Sequence, residues 1–167
     1  MKEPALVIIK PDGVTKGLLG PILQKFDVPG LQIVAMRIVQ ISRAVVEEHY
    51  KHLKGKHFFE DTVAYLAGEL HKNDRLIAII YYGTDAIKKC REVAGATNPE
   101  DADPRSIRGA FGRITTKGIY ENIVHVSSDK NEAEREIKLW FVPDDISVSL
   151  YPTKTQTSQP ERKRMWT

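Results

Sequence analysis

The chain has 167 residues, 41% of them hydrophobic and 28% charged, with a formal net charge of +3. That length fits one domain, or one domain and a tail, and the composition is that of a soluble globular protein. The single cysteine, Cys90, excludes an intramolecular disulfide and a thiolate metal cluster within one chain. No apolar run approaches the roughly 20 residues needed to span a bilayer, and the mild positive charge suits an anionic ligand better than it suits nucleic acid.

The apolar run at residues 5–9 is too short for a signal-peptide core, so the cytoplasm is the expected location. The same run reads as a buried first strand, closed by a Pro-Asp-Gly turn. Pro21 then suits the first position of a helix whose Ile22, Leu23 and Phe26 share a face, and Pro29-Gly30 stops it. Residues 31–41 predict a second strand. Ser42 suits the N-cap of a helix running through Leu53 and ended by Gly55. Another helix is expected from about Glu60 to Leu70. Residues 75–82, with their Leu-Ile-Ala-Ile-Ile run, predict a third buried strand. Thr84 or Asp85 caps a helix ending at Gly95, with Ile87, Cys90 and Ala94 toward the core.

Residues 96–122 are rich in Pro, Asp, Gly and Arg and predict a long loop with one helical turn near Ile107. A very short fourth strand follows at 123–126, then a strongly patterned helix at 131–141, closed by Pro143. The order β-α-β-α-α-β-α-β-α predicts an α+β sandwich, a ferredoxin-like split βαβ with a four-stranded antiparallel sheet covered by helices. We read 1–151 as the domain and 152–167 as a polar tail with a Glu-Arg-Lys-Arg cluster, either disordered or draped over a neighbouring subunit.

Two features point to chemistry. Long loops inside compact domains are uncommon and often functional, and this one is entered from Arg91, contains Thr97 and Arg108, and leads into Asn122 and His125. Two guanidinium groups and a hydroxyl suit the oxygens of a di- or triphosphate, with Lys10 adding a point charge from the end of the first strand. His125 is the second feature. A histidine in a short apolar strand is either a satisfied core residue or a nucleophile. Glu136, eleven residues on in the following helix, is either the carboxylate that fixes its tautomer or part of an exposed charged face. His49, His52 and His57 have mixed spacing, and no metal site is expected from them.

The stretches Val-Ile-Ile-Lys-Pro-Asp-Gly-Val (7–14), His-Tyr-Lys-His-Leu (49–53), Phe58-Phe59, Arg91 with Gly-Ala-Thr-Asn-Pro (95–99), Ile-Arg-Gly (107–109), Asn-Ile-Val-His (122–125) and Ala-Glu-Arg-Glu-Ile-Lys-Leu-Trp-Phe (133–141) occur in this order. Together they resemble the nucleoside diphosphate kinase family over roughly residues 5–151. The resemblance implies transfer of a γ-phosphoryl group from a nucleoside triphosphate to a nucleoside diphosphate, by a ping-pong mechanism through a phosphohistidine at His125. It makes Glu136 the orienting carboxylate. Lys10, Arg91, Thr97 and Arg108 become phosphate ligands, with Tyr50 near the transferred group. Lys10 and Asn122 become partners of the ribose, and Phe58 the platform under the base. It further implies Mg2+ bound mainly through the nucleotide, and a homo-oligomer, a hexamer or tetramer built from dimers.

The chain also departs from the family's pattern. His52, Ala110 and Ser128 stand where acids are usual, Val126 replaces a smaller residue, and the 110–121 loop is a few residues longer. Fewer acids imply a more positive pocket with Arg91 and Arg108 less firmly positioned. They also leave a second reading, a regulatory nucleotide-binding relative that keeps the pocket without turnover.

Overall fold

The computed structural model describes residues 1–155, so the segment 156–167, most of the expected polar tail, lies outside the described residues. Four strands form one antiparallel sheet in the order β2-β3-β1-β6: β1 (Lys2–Ile9), β2 (Leu31–Gln40), β3 (Arg75–Thr84) and β6 (Val124–Val126). This is the split βαβ order expected. The unbroken apolar run of β1 exists because both faces of that strand are covered. Ala5, Val7 and Ile9 face a core layer completed by α2 (Leu19–Lys25) and α5 (Ala86–Ala94). Leu6 and Ile8 face the opposite layer, made with α3 (Arg43–His49), α4 (Phe59–Leu66) and α7 (Lys130–Trp140).

That alternation fixes where His125 goes. It pairs directly with Ile8, and directly opposed residues share a face of the sheet. Its side chain therefore enters the layer containing α3 and α7.

Several local expectations change. The Pro-Asp-Gly segment is not a turn but the start of α1 (Pro11–Thr15), with Pro11 at its first position. Proline's fixed φ and missing N–H suit that position, and a helix of five residues leaves no periodic signal in the sequence. Pro21 is the third residue of α2 rather than the first. α3 stops at His49, and residues Lys51–Leu53 tighten into a 3-10 turn. α4 ends at Leu66, before Gly68 reverses the chain at φ +81° against the Asn73 carbonyl, too close for any Cβ. Asp85 rather than Thr84 is the residue before α5.

The largest difference lies in 96–122. It contains a 3-10 turn at Pro99–Asp101, α6 (Ile107–Phe111), and a hairpin of β4 (Arg113–Ile114) with β5 (Tyr120–Glu121). Among the described residues no helix is long and apolar enough to cross a membrane. Cys90 is buried and free.

Candidate active site

The site is assembled where β1, β6 and the segment between α5 and β5 meet. Lys10 follows β1, and its backbone N–H donates to the Ile123 carbonyl at 2.9 Å. Ile123 has φ +68°, a left-handed conformation that a β-branched side chain disfavours. The strain is fastened from three sides. The Ile123 N–H donates to Asp12 Oδ2 at 3.2 Å and to the Tyr65 hydroxyl oxygen at 3.3 Å, and Tyr65 Oη in turn donates to Asp12 at 2.7 Å. Such enforced strain clusters at functional sites. Here it reverses the chain so that Asn122 and His125, on either side of it, both line one cleft.

Lys10 Nζ donates to Asn122 Oδ1 at 2.6 Å, and the Asn122 amide donates to the Thr97 carbonyl at 2.8 Å. Burial, then the charge of Arg108, push the Lys10 ammonium down to about 7, against a smaller upward pull from Asp12. Arg108 sits on α6, whose N-cap Ser106 accepts from the Gly109 N–H at 3.1 Å. A Cβ on Gly95 would fall 2.2 Å from Ser106 Oγ, so only glycine lets α6 seat against the end of α5. The Arg108 guanidinium donates to the Gly95 carbonyl at 2.8 Å and the Val124 carbonyl at 2.9 Å. Burial pushes its pKa down to about 10. The expectation that missing acids leave this arginine loosely placed is therefore corrected: backbone carbonyls position it. Arg91, by contrast, is exposed at the end of α5 and makes no side-chain hydrogen bond among the described residues.

His125 Nε2 lies 2.9 Å from Glu136 Oε1, and its side chain is 16% exposed. Glu136 is on the second turn of α7 and is buried, so the exposed-face alternative does not apply. Its other oxygen accepts from Ser127 Oγ at 2.6 Å, and Ser127 Oγ accepts from the Leu6 N–H at 3.2 Å. A carboxylate on Nε2 assigns the ring proton to that nitrogen and leaves a lone pair on Nδ1. Burial first, then Lys10 and Arg108, hold the imidazole well below its ordinary pKa, so His125 is neutral near pH 7. A neutral imidazole with a fixed tautomer can act as a nucleophile.

Lys10, Tyr50, Phe58, Arg91, Thr97, Arg108, Asn122, His125 and Glu136, all nine residues expected from the sequence, line this cleft of about 680 Å³. The volume falls in the range of small-molecule sites. Tyr50 follows α3, its ring edge-on to His125 at 6.3 Å, and burial raises its phenol so that it stays protonated. Phe58 precedes α4 with its ring 40% exposed. His52, Val126 and Ser128 also line the cleft.

Four contributors escaped the sequence reading. Asp12 and Tyr65 fasten the kink, and Ser127 fastens Glu136. The fourth is the β4–β5 hairpin, whose Lys117, Gly118, Ile119 and Tyr120 form part of the wall. Glu121, its side chain 5% exposed, anchors that hairpin. It accepts from Arg113 Nε at 2.6 Å and Lys16 Nζ at 3.4 Å, and lies 3.0 Å from His71 Nε2. Arg113 above all holds its carboxyl down at about 2.

His49, His125 and Glu136 offer ligand atoms within 4.8 Å of one another. Their chemistry does not suit a metal ion. Trp140 Nε1 lies 3.2 Å from His49 Nδ1, and an indole N–H only donates. His49 Nδ1 is therefore the acceptor and Nε2 carries the proton, leaving no lone pair for a metal.

The family model for nucleoside diphosphate kinase matches residues 3–146. The chain belongs to the nucleoside diphosphate kinase family. It is 42% identical over 144 residues to the nucleoside diphosphate kinase of Pyrococcus furiosus, covering 86% of each chain. Among solved structures it is similar to a halophilic nucleoside diphosphate kinase from Halobacterium salinarum in complex with CDP, with TM-score 0.78 and 32% identity over 87% of this chain and 91% of that one. It is likewise similar to a transition-state mimic of the Borrelia burgdorferi nucleoside-diphosphate kinase with bound vanadate and ADP. There the TM-score is 0.76 and the identity 28%, over 92% of this chain and 93% of that one.

Proposed function

We propose that this member of the nucleoside diphosphate kinase family transfers the γ-phosphoryl group of a nucleoside triphosphate to a nucleoside diphosphate through His125. The observation that carries the reading is the 2.9 Å contact of His125 Nε2 with a buried, doubly bonded Glu136. The opposite nitrogen is thereby freed in a cleft lined by Lys10, Arg91 and Arg108.

In the first half-reaction the Nδ1 lone pair attacks the γ-phosphorus. The N–P bond forms, the bond to the β-phosphate oxygen breaks, and the diphosphate leaves with its electron pair. The Nε2 proton stays against Glu136, whose charge offsets the cation developing on the ring. In the second half-reaction a terminal oxygen of the acceptor diphosphate attacks and the N–P bond breaks. One site serving both nucleotides makes the kinetics ping-pong.

Phosphoryl transfer asks mainly for positioning and charge stabilisation. Arg108, Arg91, Thr97 and Lys10 receive the phosphates and Tyr50 approaches the transferred group. Asn122 with Lys10 receives the ribose hydroxyls, and Phe58 stacks on the base. In-line placement of the imidazole is worth on the order of 7–11 kcal/mol. The cations and neutral donors of the cleft suit a magnesium-bound nucleotide rather than a bare metal, because they complement phosphate oxygens. Magnesium carried by the nucleotide supplies further neutralisation of phosphate charge.

We also read residues 1–151 as the catalytic domain, the cytoplasm as its location, and a homo-oligomer built from dimers as its form. β2 supports the last point. It is an edge strand of the sheet and exposes Ile33, Met36 and Ile38, an unpaired apolar edge of the kind proteins cover.

Incubation with γ-labelled ATP and magnesium, isolation, then addition of CDP tests the central reading. Acid-labile, base-stable label on the wild type, absent from His125→Ala and discharged as CTP, is expected. Nucleotide binding with no label would replace it with the regulatory, non-transferring reading.

A further inference from the structure

His49 has no part in the mechanism above, yet it is built into the same cluster. It ends α3, is fully buried, and packs edge-on against His125 with ring centroids 4.5 Å apart at 78°. With Nδ1 occupied by the Trp140 indole, its proton lies on Nε2. That nitrogen is buried, has no hydrogen-bond partner among the described residues, and lies 3.9 Å from Glu136 Oε1, the oxygen that meets His125. Its backbone is pinned as well: Arg135 on α7 donates to the His49 carbonyl at 2.9 Å and the Glu48 carbonyl at 3.2 Å.

A buried donor left unpaired is costly, so its placement beside Glu136 calls for a reason. The protonation state of Glu136 supplies one. Were Glu136 protonated, its O–H would donate to His125 Nε2. The ring proton would then move to Nδ1 and remove the lone pair that attacks phosphorus. Transfer through His125 therefore requires Glu136 as a carboxylate, although burial raises its pKa.

The groups facing Glu136 come from every element around it. Ser127 and His125 contact it from β6 and the residues after it. On α7 itself, Arg135 favours the charge, and Glu132, which Arg135 also pairs, opposes it. Lys10 from the end of β1 and Arg108 from α6 line the same cleft, with Tyr50 after α3 and His52 in the 3-10 turn beyond. From α3 the contribution is His49.

We propose that His49 is a positioning residue for the transfer: its Nε2–H, 3.9 Å from Glu136 Oε1, keeps Glu136 ionised and so keeps His125 in the tautomer that attacks phosphorus. The proposal rests on the reading of His125 and Glu136 given above. His49 acts as a neutral dipole, because burial and then His125 hold its own pKa well below the ordinary value.

The test is the pH profile of kcat for the full chain, with wild type, His49→Phe and His49→Gln. Losing the donor raises the pKa of Glu136, so more of it is protonated at a given pH and the acid limb moves to higher pH. The expected shift for His49→Phe is at least about one pH unit, so that kcat at a given pH on the acid limb is down about tenfold, with KM for ATP little changed. His49→Gln, which keeps an N–H donor, is expected to restore most of the limb. A His49→Phe limb that coincides with the wild type, or a Gln variant no better than Phe, overturns the role.

Because a core substitution can prevent folding, ring 15N chemical shifts of the wild type give a second decision. They are expected to show neutral Nε2–H tautomers for His49 and His125 between about pH 6 and 8. A charged His49, or one protonated on Nδ1, overturns the proposal. Absence of phosphoenzyme on the wild type would overturn the underlying function as well; a labelled wild type with an unmoved limb overturns His49 alone.

Discussion

At the deep end of the cleft Lys10, Arg108, Asn122, His125 and Glu136 are buried or nearly so, and each meets a specific partner at 2.6–2.9 Å. At the mouth Phe58 and Tyr120 are 40% and 41% exposed, and Tyr120's hydroxyl makes no hydrogen bond among the described residues. The contrast follows from what each end must do. Stabilising charge on a transferring phosphoryl group needs donors already in place, because reorganising them during the reaction would raise the barrier. Stacking on a base needs only a flat apolar face, which every base can use.

The sharpest way to break this comparison is at Arg108. Arg108→Lys keeps a cation but cannot span the Gly95 and Val124 carbonyls and still face a phosphate. We expect kcat/KM to fall about 10²-fold or more, measured by steady-state coupled assay with several acceptors. A loss confined to KM would mean that the deep end tolerates slack. Phe58→Ala probes the other end. The expected result is a rise in KM of about tenfold, within the 1–3 kcal/mol of a base stack, similar for purine and pyrimidine diphosphates and with kcat retained. A base-dependent loss would show that the mouth discriminates after all.

The smallest effect is a proton. With its pKa down at about 7, Lys10 is largely neutral at pH 8, and phosphate oxygens nearby would pull that pKa upward. Nucleotide binding at pH 8 is therefore expected to take up a fraction of a proton. Calorimetry in buffers of different ionisation enthalpy would detect it, and Lys10→Met would remove it. The sign for folding is opposite, a release: the unfolded chain binds the extra proton between about pH 7 and the ordinary lysine pKa of about 10.4, so this group's contribution to stability rises with pH across that window.

Lys10, Arg91, Thr97, Arg108, Asn122 and His125 were legible from context, as a histidine inside an apolar strand and cations and polar groups around a long loop, whereas Tyr50, Phe58 and the pairing of Glu136 with His125 came from the resemblance to the family. Their assembly was less legible. The strain at Ile123 leaves no trace in composition, since isoleucine is the residue least expected at positive φ. α1 is too short to show a period. The β4–β5 hairpin pairs strands of two residues, below the length at which alternation can be recognised. His49 was visible as a histidine beside a tyrosine and near His52 and His57, but not as a partner of Glu136, because the tryptophan that fixes its proton lies 91 residues away. β1, β2, β3 and the last helix were readable because their apolar patterns are long.

The Glu121 anchor separates two kinds of change. It ties Arg113, Lys16 and His71 at the root of the hairpin, immediately before Asn122, while Lys117, Gly118 and Ile119 project beyond that knot. Insertions or exchanges at the tip alter the outer wall of the cleft, and the root keeps their displacement from reaching Asn122 and the strained turn behind it. The outer wall can thus vary in sequence and length while the geometry around Asn122 and His125 stays in place.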